Sequence, residues 1–111
     1  MMTFERGDFV WCSLDPALGH EQQKRRPCLV LSPKTFNRIG FMMIAPVTSK
    51  VKGFPFEVPV ETGPIKGAVL VSHVRSVDWR VRAVARVPGA KPASFDVMQK
   101  VSALLEAVLG L

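Results

Sequence analysis

The sequence predicts a mainly-β domain: short antiparallel strands curled into a compact, barrel-like sheet, with a C-terminal α-helix covering one side. Three observations predict it. Short apolar runs rich in β-formers recur along most of the chain, each bounded by Gly, Pro, Asn or Asp. Only the tail carries apolar residues at three- and four-residue steps. At 111 residues the chain makes one domain, 1–111, with one core that several strands must share.

The first strand is expected at residues 9–14, ended by Asp15-Pro16. A long polar loop leads to a continuous apolar strand at 28–31, stopped by Ser32-Pro33. A turn at Asn37-Arg38-Ile39-Gly40 opens a third strand at 41–47. Residues 54–60 alternate loosely and carry Pro55 and Pro59, which suits an edge strand or a bulge. Thr62-Gly63-Pro64 is a turn before a fifth strand at 67–71. Residues 81–87 alternate with Arg82 and Arg86 and read as a sixth strand, closed by Pro88-Gly89. The helix follows. Ser94 is its N-cap, and Asp96 sits in the first turn, where the helix dipole favours an anion. Val97, Val101, Leu104, Leu105 and Val108 form its apolar stripe, and Gly110 is its C-cap.

The net charge is +6, from 15 basic and 9 acidic residues. A small basic domain suits a polyanion, because neutralising phosphates releases counterions. Charge alone is equally that of a generic basic surface. Cys12 and Cys28 sit among apolar neighbours and read as small buried hydrophobes, without zinc-site spacing or a disulfide framework. No metal or cofactor is implied. The N-terminus shows no secretion signal, and the longest apolar run, residues 41–47, is too short to span a bilayer. A cytoplasmic protein that engages no membrane is expected.

Three segments carry candidate chemistry. The first is the loop Asp15-Pro16-Ala17-Leu18-Gly19-His20-Glu21-Gln22-Gln23-Lys24-Arg25-Arg26-Pro27. Metal-free RNA cleavage by the substrate's own 2′-hydroxyl needs a base, cations on the phosphoryl oxygens and an acid at the leaving oxygen. Arg26 is the foremost cation, because its planar fork binds two phosphate oxygens and it stands where the loop meets a strand. His20 and Glu21 are the acid and base candidates, and Lys24 and Arg25 add phosphate-binding charge. Read from the residues alone, an ordinary pairing of Glu21 with Arg26 across a surface loop is the first reading. The second segment, Pro46-Val47-Thr48-Ser49-Lys50-Val51-Lys52-Gly53, offers two hydroxyls and two lysines at a strand end; it is equally an ordinary polar turn. The third, residues 73–82, places His73, Arg75, Arg80 and Arg82 around Trp79, a composition suited to single-stranded RNA. For Trp79 and Trp11, packing into the core or an interface is the first reading. Phe54 and Phe56 read either as packing or as stacking residues.

The chain resembles the MazF/PemK family of bacterial toxins from about Gly7 to its end. The anchors occur in order: Gly7-Asp8-Phe9-Val10-Trp11, Leu14-Asp15-Pro16, Gly19-His20-Glu21-Gln22, Arg26-Pro27, Leu29-Val30-Leu31-Ser32-Pro33, Pro46-Val47-Thr48, Lys52-Gly53-Phe54-Pro55-Phe56-Glu57-Val58, Gly67, Val74-Arg75-Ser76 and Trp79-Arg80. The resemblance implies an SH3-like β-barrel with a C-terminal helix, and a homodimer binding single-stranded RNA near the dimer interface. It also implies metal-independent cleavage at short motifs, leaving a 2′,3′-cyclic phosphate and a 5′-hydroxyl. A cognate antitoxin with an acidic, disordered segment is the implied partner. Arg26 and Thr48 are the catalytic residues carried over, with Glu21 a third. Ser49, Lys50, Lys52, His73, Arg75, Arg80 and Arg82 join Lys24 and Arg25 as RNA-binding candidates. Two departures stand out. The arginine and aspartate that some PemK-type relatives carry around the fifth strand are absent from Leu70-Val71-Ser72-His73, and Lys24 stands where family loops often have glycine. The same barrel family includes toxins that poison DNA gyrase by protein contact, so the alternative reading is a non-catalytic toxin or an RNA-binding module.

Overall fold

The computed structural model describes residues 3–14 and 25–111. Among the described residues seven strands form one antiparallel sheet: β1 (Phe9–Ser13), β2 (Arg25–Val30), β3 (Phe41–Thr48), β4 (Glu57–Thr62), β5 (Ile65–Leu70), β6 (Arg75–Asp78) and β7 (Ala85–Arg86). A one-turn helix, α1 (Lys34–Asn37), precedes β3, and α2 (Phe95–Leu109) ends the fold. The order across the sheet is β4-β5-β3-β2-β1-β7, with β6 also on β3.

β3 organises everything else. One of its edges carries β2, with Cys28 opposite Pro46 and Val30 opposite Ile44. Its other edge is shared: β6 lies on the first half, Ile44 opposite Arg75, and β5 on the second, Val47 opposite Val69. Three residues along β3 thus match six along the facing chain. The 3-10 turn Val71–His73 takes up the difference and folds the sheet there. Pro46 falls in this gap. Leu31 N–H donates to the Met43 carbonyl at 2.8 Å, and alternation makes Cys28–Pro46 a non-hydrogen-bonded pair. The donor that proline lacks would therefore have faced the gap, where no strand needs it.

The inner strands are apolar on both faces because each face is covered. Phe9, Leu29, Ala45, Val47, Val58, Val69 and Val101 belong to the larger core, packed with Val97, Leu104 and Leu105 of α2. Val10, Cys12, Cys28, Val30, Met42, Ile44 and Val77 form a second core on the opposite face, closed by Phe4 and Trp79. Both cysteines are free and buried, as expected. The neighbouring Cys12 thiol, with burial, pushes Cys28 above the ordinary thiol range. The helix caps also agree: Ser94 accepts from Val97 N–H at 3.2 Å, and Gly110 is left-handed at φ 75°. Val108 departs from the expected stripe. It is 47% exposed, in the last turn.

Among the described residues no hydrogen-bonded pair closes the sheet into a barrel. Its ends approach through loops instead. The β4–β5 hairpin turns at Gly63-Pro64, where a Cβ on Gly63 would overlap the Gly89 carbonyl, and Lys91 N–H donates to Thr62 Oγ1 at 2.8 Å. β4 is an edge strand, as its prolines suggested, but it begins at Glu57, and residues 54–56 belong to the preceding turn. The strand expected at 81–87 shrinks to Ala85–Arg86. Asp78 takes the Arg80 N–H at 2.9 Å, turning the chain, and Ala83 is left-handed at φ 54°. No described helix is long and apolar enough to cross a membrane.

Candidate active site

Arg26 and Thr48 come together through the β2–β3 register. Cys28 faces Pro46; two residues further along the same register, Arg26, still paired with Cys12 of β1, stands across from Thr48, still paired with Ala68 of β5. They line a cleft of about 580 Å³ with Ser49, Lys50, Lys52, Lys66, His73, Glu57, Phe54, Phe56 and Leu70. Its floor is Val47, Ile65 and Pro27 at the sheet's end. The bend at Val71–His73 brings His73 to the wall.

Arg26, Lys50, Lys52 and Lys66 set four cations around this cleft against one described carboxylate, Glu57. Among the described residues none of the four is in an ion pair. The cleft therefore presents uncompensated positive charge, with an arginine fork for two phosphate oxygens. Thr48 Oγ1 accepts from Lys50 N–H at 3.1 Å, which leaves the hydroxyl proton available for an acceptor in the cleft. Ser72 Oγ lies 3.1 Å from His73 Nδ1 and occupies that ring nitrogen. Phe54 and Phe56 stack at 5.3 Å between centroids, with Phe54 47% exposed at the rim.

The other candidates divide. His20, Glu21 and Lys24 lie outside the described residues. Arg25, exposed at the start of β2, lies 5.8 Å from the centre of the Trp11 ring. Arg75, Arg80 and Arg82 do not line the cleft. Arg75 Nη1 donates to the Leu14 carbonyl at 3.3 Å. Arg80 grips Asp78 through two 2.9 Å bonds, and that grip holds the Asp78 carboxyl below its ordinary range. Arg82 lies in the turn after β6, where its carbonyl accepts from Ser13 N–H at 3.0 Å. Trp79 is a packing residue: its Nε1–H donates to the Asn37 carbonyl at 2.6 Å and its ring meets Phe4 edge-on at 5.7 Å. Sequence reasoning named no role for Glu57 or Lys66. The signal for Glu57 was present in Lys52-Gly53 followed by a carboxylate at strand entry, which offers successive N–H groups an anion. Lys66 gave none. Among the described residues no three His, Cys, Asp or Glu side chains cluster closely enough to hold a metal ion.

A small, bent antiparallel sheet capped by a helix, with a basic cleft at the end of its central strand, defines a class of protein built to hold a polyanion. Residues 5–109 match the family described as PemK-like, MazF-like toxin of type II toxin–antitoxin system, and the chain belongs to that family. It is 39% identical over 112 residues to the endoribonuclease toxin ChpB of Escherichia coli K12, covering 96% of this chain and 94% of that one. Identity to the endoribonuclease toxin MazF of the same strain is 33% over 107 residues, with the same coverage. Among solved structures, MazF from Deinococcus radiodurans superposes with a TM-score of 0.86 at 42% identity, covering the whole of both chains. A MazE–MazF structure from that organism matches at 0.84 and 37%, covering 100% of this chain and 99% of that one.

Proposed function

We propose that this protein is an endoribonuclease toxin that cleaves single-stranded RNA at short motifs through attack by the substrate's 2′-hydroxyl. The observation that carries the reading is the meeting of Arg26 and Thr48, from two strands, in one basic cleft. Arg26 stabilises the negative charge that builds on the phosphoryl oxygens and can protonate the leaving 5′-oxygen. Thr48, its oxygen already accepting from Lys50 N–H, donates its proton to a phosphoryl oxygen. Glu21 or His20 takes the proton of the 2′-hydroxyl. The 2′-oxygen then bonds to phosphorus as the 5′-oxygen departs, leaving a 2′,3′-cyclic phosphate and a 5′-hydroxyl. Lys50, Lys52 and His73 hold the flanking backbone. Relatives named endoribonuclease toxins support the activity, and the MazE–MazF structures support neutralisation by an antitoxin, for which the basic cleft favours an acidic segment. The acting form is a homodimer, and its compartment is the cytoplasm.

The test is incubation of antitoxin-free protein with mixed RNAs in excess EDTA, beside Arg26→Ala, with both fragment ends sequenced. Discrete cuts by wild type alone, ending in cyclic phosphate, are the expected result. Intact RNA after wild-type treatment would overturn the reading in favour of a module that acts by contact.

A further inference from the structure

We propose that Glu57 is the positioning residue for the cleft: it holds the loop of residues 49–53 so that Thr48 and the neighbouring lysines face the substrate. The inference rests on the endoribonuclease reading of that cleft. The loop is tied at both ends. At its start Lys50 N–H is bound to Thr48 Oγ1 at 3.1 Å. At its end Lys52 N–H reaches both oxygens of Glu57 at 3.1 and 3.3 Å, and Gly53 N–H reaches Oε1 at 2.8 Å. Two successive backbone donors converging on one carboxylate form an anion nest, here filled by the protein's own side chain. Hydrogen bonds to an ionised acceptor are the stronger kind.

Glu57 is well placed for this. It is the first residue of β4, opposite Leu70 in β5, and its own N–H is bound to the Phe54 carbonyl at 3.1 Å. The anchor is therefore part of the sheet, and the loop is what it holds. Gly53 is required for the same purpose. It is left-handed at φ 78°, and a Cβ there would meet nothing within 4 Å, so its constraint is conformational rather than steric. Without the carboxylate the Lys52 and Gly53 donors turn to water and the loop loosens. Lys50 N–H then no longer fixes the Thr48 oxygen. The same loop forms the cleft wall, so its shape also decides which bases fit beside the scissile phosphate.

The experiment compares Glu57→Ala, Glu57→Gln, Thr48→Ala and the Glu57→Ala/Thr48→Ala double variant in cleavage kinetics and motif sequencing. Glutamine keeps an acceptor oxygen and loses the charge, so Glu57→Gln should stay within about three-fold of wild type and keep its motif. Glu57→Ala should lower kcat at least about ten-fold, with less change in KM, and relax the motif. In the Thr48→Ala background Glu57→Ala should cost fewer-fold in kcat than it does alone, because the part of its effect that runs through Thr48 is already lost. Independent, multiplying effects, or a Glu57→Ala enzyme with normal rate and motif, would overturn the proposal. Should Glu57→Ala not fold, Gly53→Ala tests the same loop: a relaxed motif is expected, and an unchanged one refutes the idea. Failure of wild type to cut RNA would sink the cleavage reading itself. Normal wild-type cleavage with additive variants sinks only the role of Glu57.

Discussion

Gly67→Ala tests the link between fold and cleft most directly. Gly67 is in β5 beside Ala68, which pairs with Thr48. A Cβ on Gly67 would overlap the Thr48 carbonyl oxygen and lie 2.9 Å from its carbon and 3.2 Å from the Ser49 Cα. All three are backbone atoms, so no side chain can swing away. The strands must part by more than about 1 Å to restore ordinary contact in a close-packed interior. Forced insertion of this kind costs about 1–3 kcal/mol. For a domain this size each kcal/mol lowers Tm by roughly 4 °C, so a fall of roughly 4–12 °C is expected by calorimetry. The displaced backbone belongs to Thr48 itself, and a misplacement of about 1 Å at a reacting group can cost on the order of 10²-fold in rate. Gly110→Ala is the control. It sits at the C-cap of α2 with open space around its Cβ and a left-handed φ of 75°, so it should lose about 1–2 kcal/mol without losing cleavage. An unchanged Tm in Gly67→Ala would refute the steric argument. Equal cleavage by the two variants would refute the coupling between β5 and Thr48.

Salt dependence should separate the cleft lysines from the arginines outside it. Lys52→Ala should reduce the slope of log K against log salt for single-stranded RNA by about 0.7, whereas Arg80→Ala, whose partner is Asp78, should leave it unchanged. Asn37 is fully buried, donating to the Phe4 and Ser32 carbonyls at 2.8 and 2.9 Å and accepting from Ser32 Oγ. Asn37→Ala orphans all three groups and should cost roughly 3 kcal/mol in urea unfolding, with cleavage per folded molecule unchanged. Because Arg80 favours the ionised form of Asp78 and so lowers its folded-state pKa, the stabilisation is present above the ordinary aspartate value of 3.8. The advantage of wild type over Asp78→Asn in urea midpoint should thus be full at neutral pH and vanish as acid carries the pH through the depressed value. A gap that persists or widens in acid would contradict the sign.

Legibility followed burial. β1, β2 and β3 were plain in the sequence because strands covered on both faces are continuous apolar runs. The helix was plain, caps included, because its period and end residues agree. β6 was hidden: only Val77 of its four residues is buried, and Arg75 and Ser76 read as part of a nucleic-acid segment. The false strand at 81–87 has the matching cause. Its alternating arginines imitate a strand's period, while Asp78, just before it, turns the chain through the Arg80 N–H. Turn chemistry won over periodicity.

The candidate site was legible as a set of residue types and not as a geometry. Arg26 and Thr48 could be named from the sequence, but their meeting depends on the β2–β3 register, which one residue of slip would destroy by sending each side chain to the other face. That register is held by burial: Leu29, Ala45 and Val47 on one face and Cys28, Val30 and Ile44 on the other leave no alternative pairing that keeps both cores dry. The cleft sits where this constraint ends. β3 loses β2 as a partner at Pro46 and gains β5 at Val47, so Thr48 is held from one side by backbone and from the other by its loop. A sheet end of this kind can change its loop, and hence the RNA it fits, without disturbing the register that places Arg26 and Thr48 together.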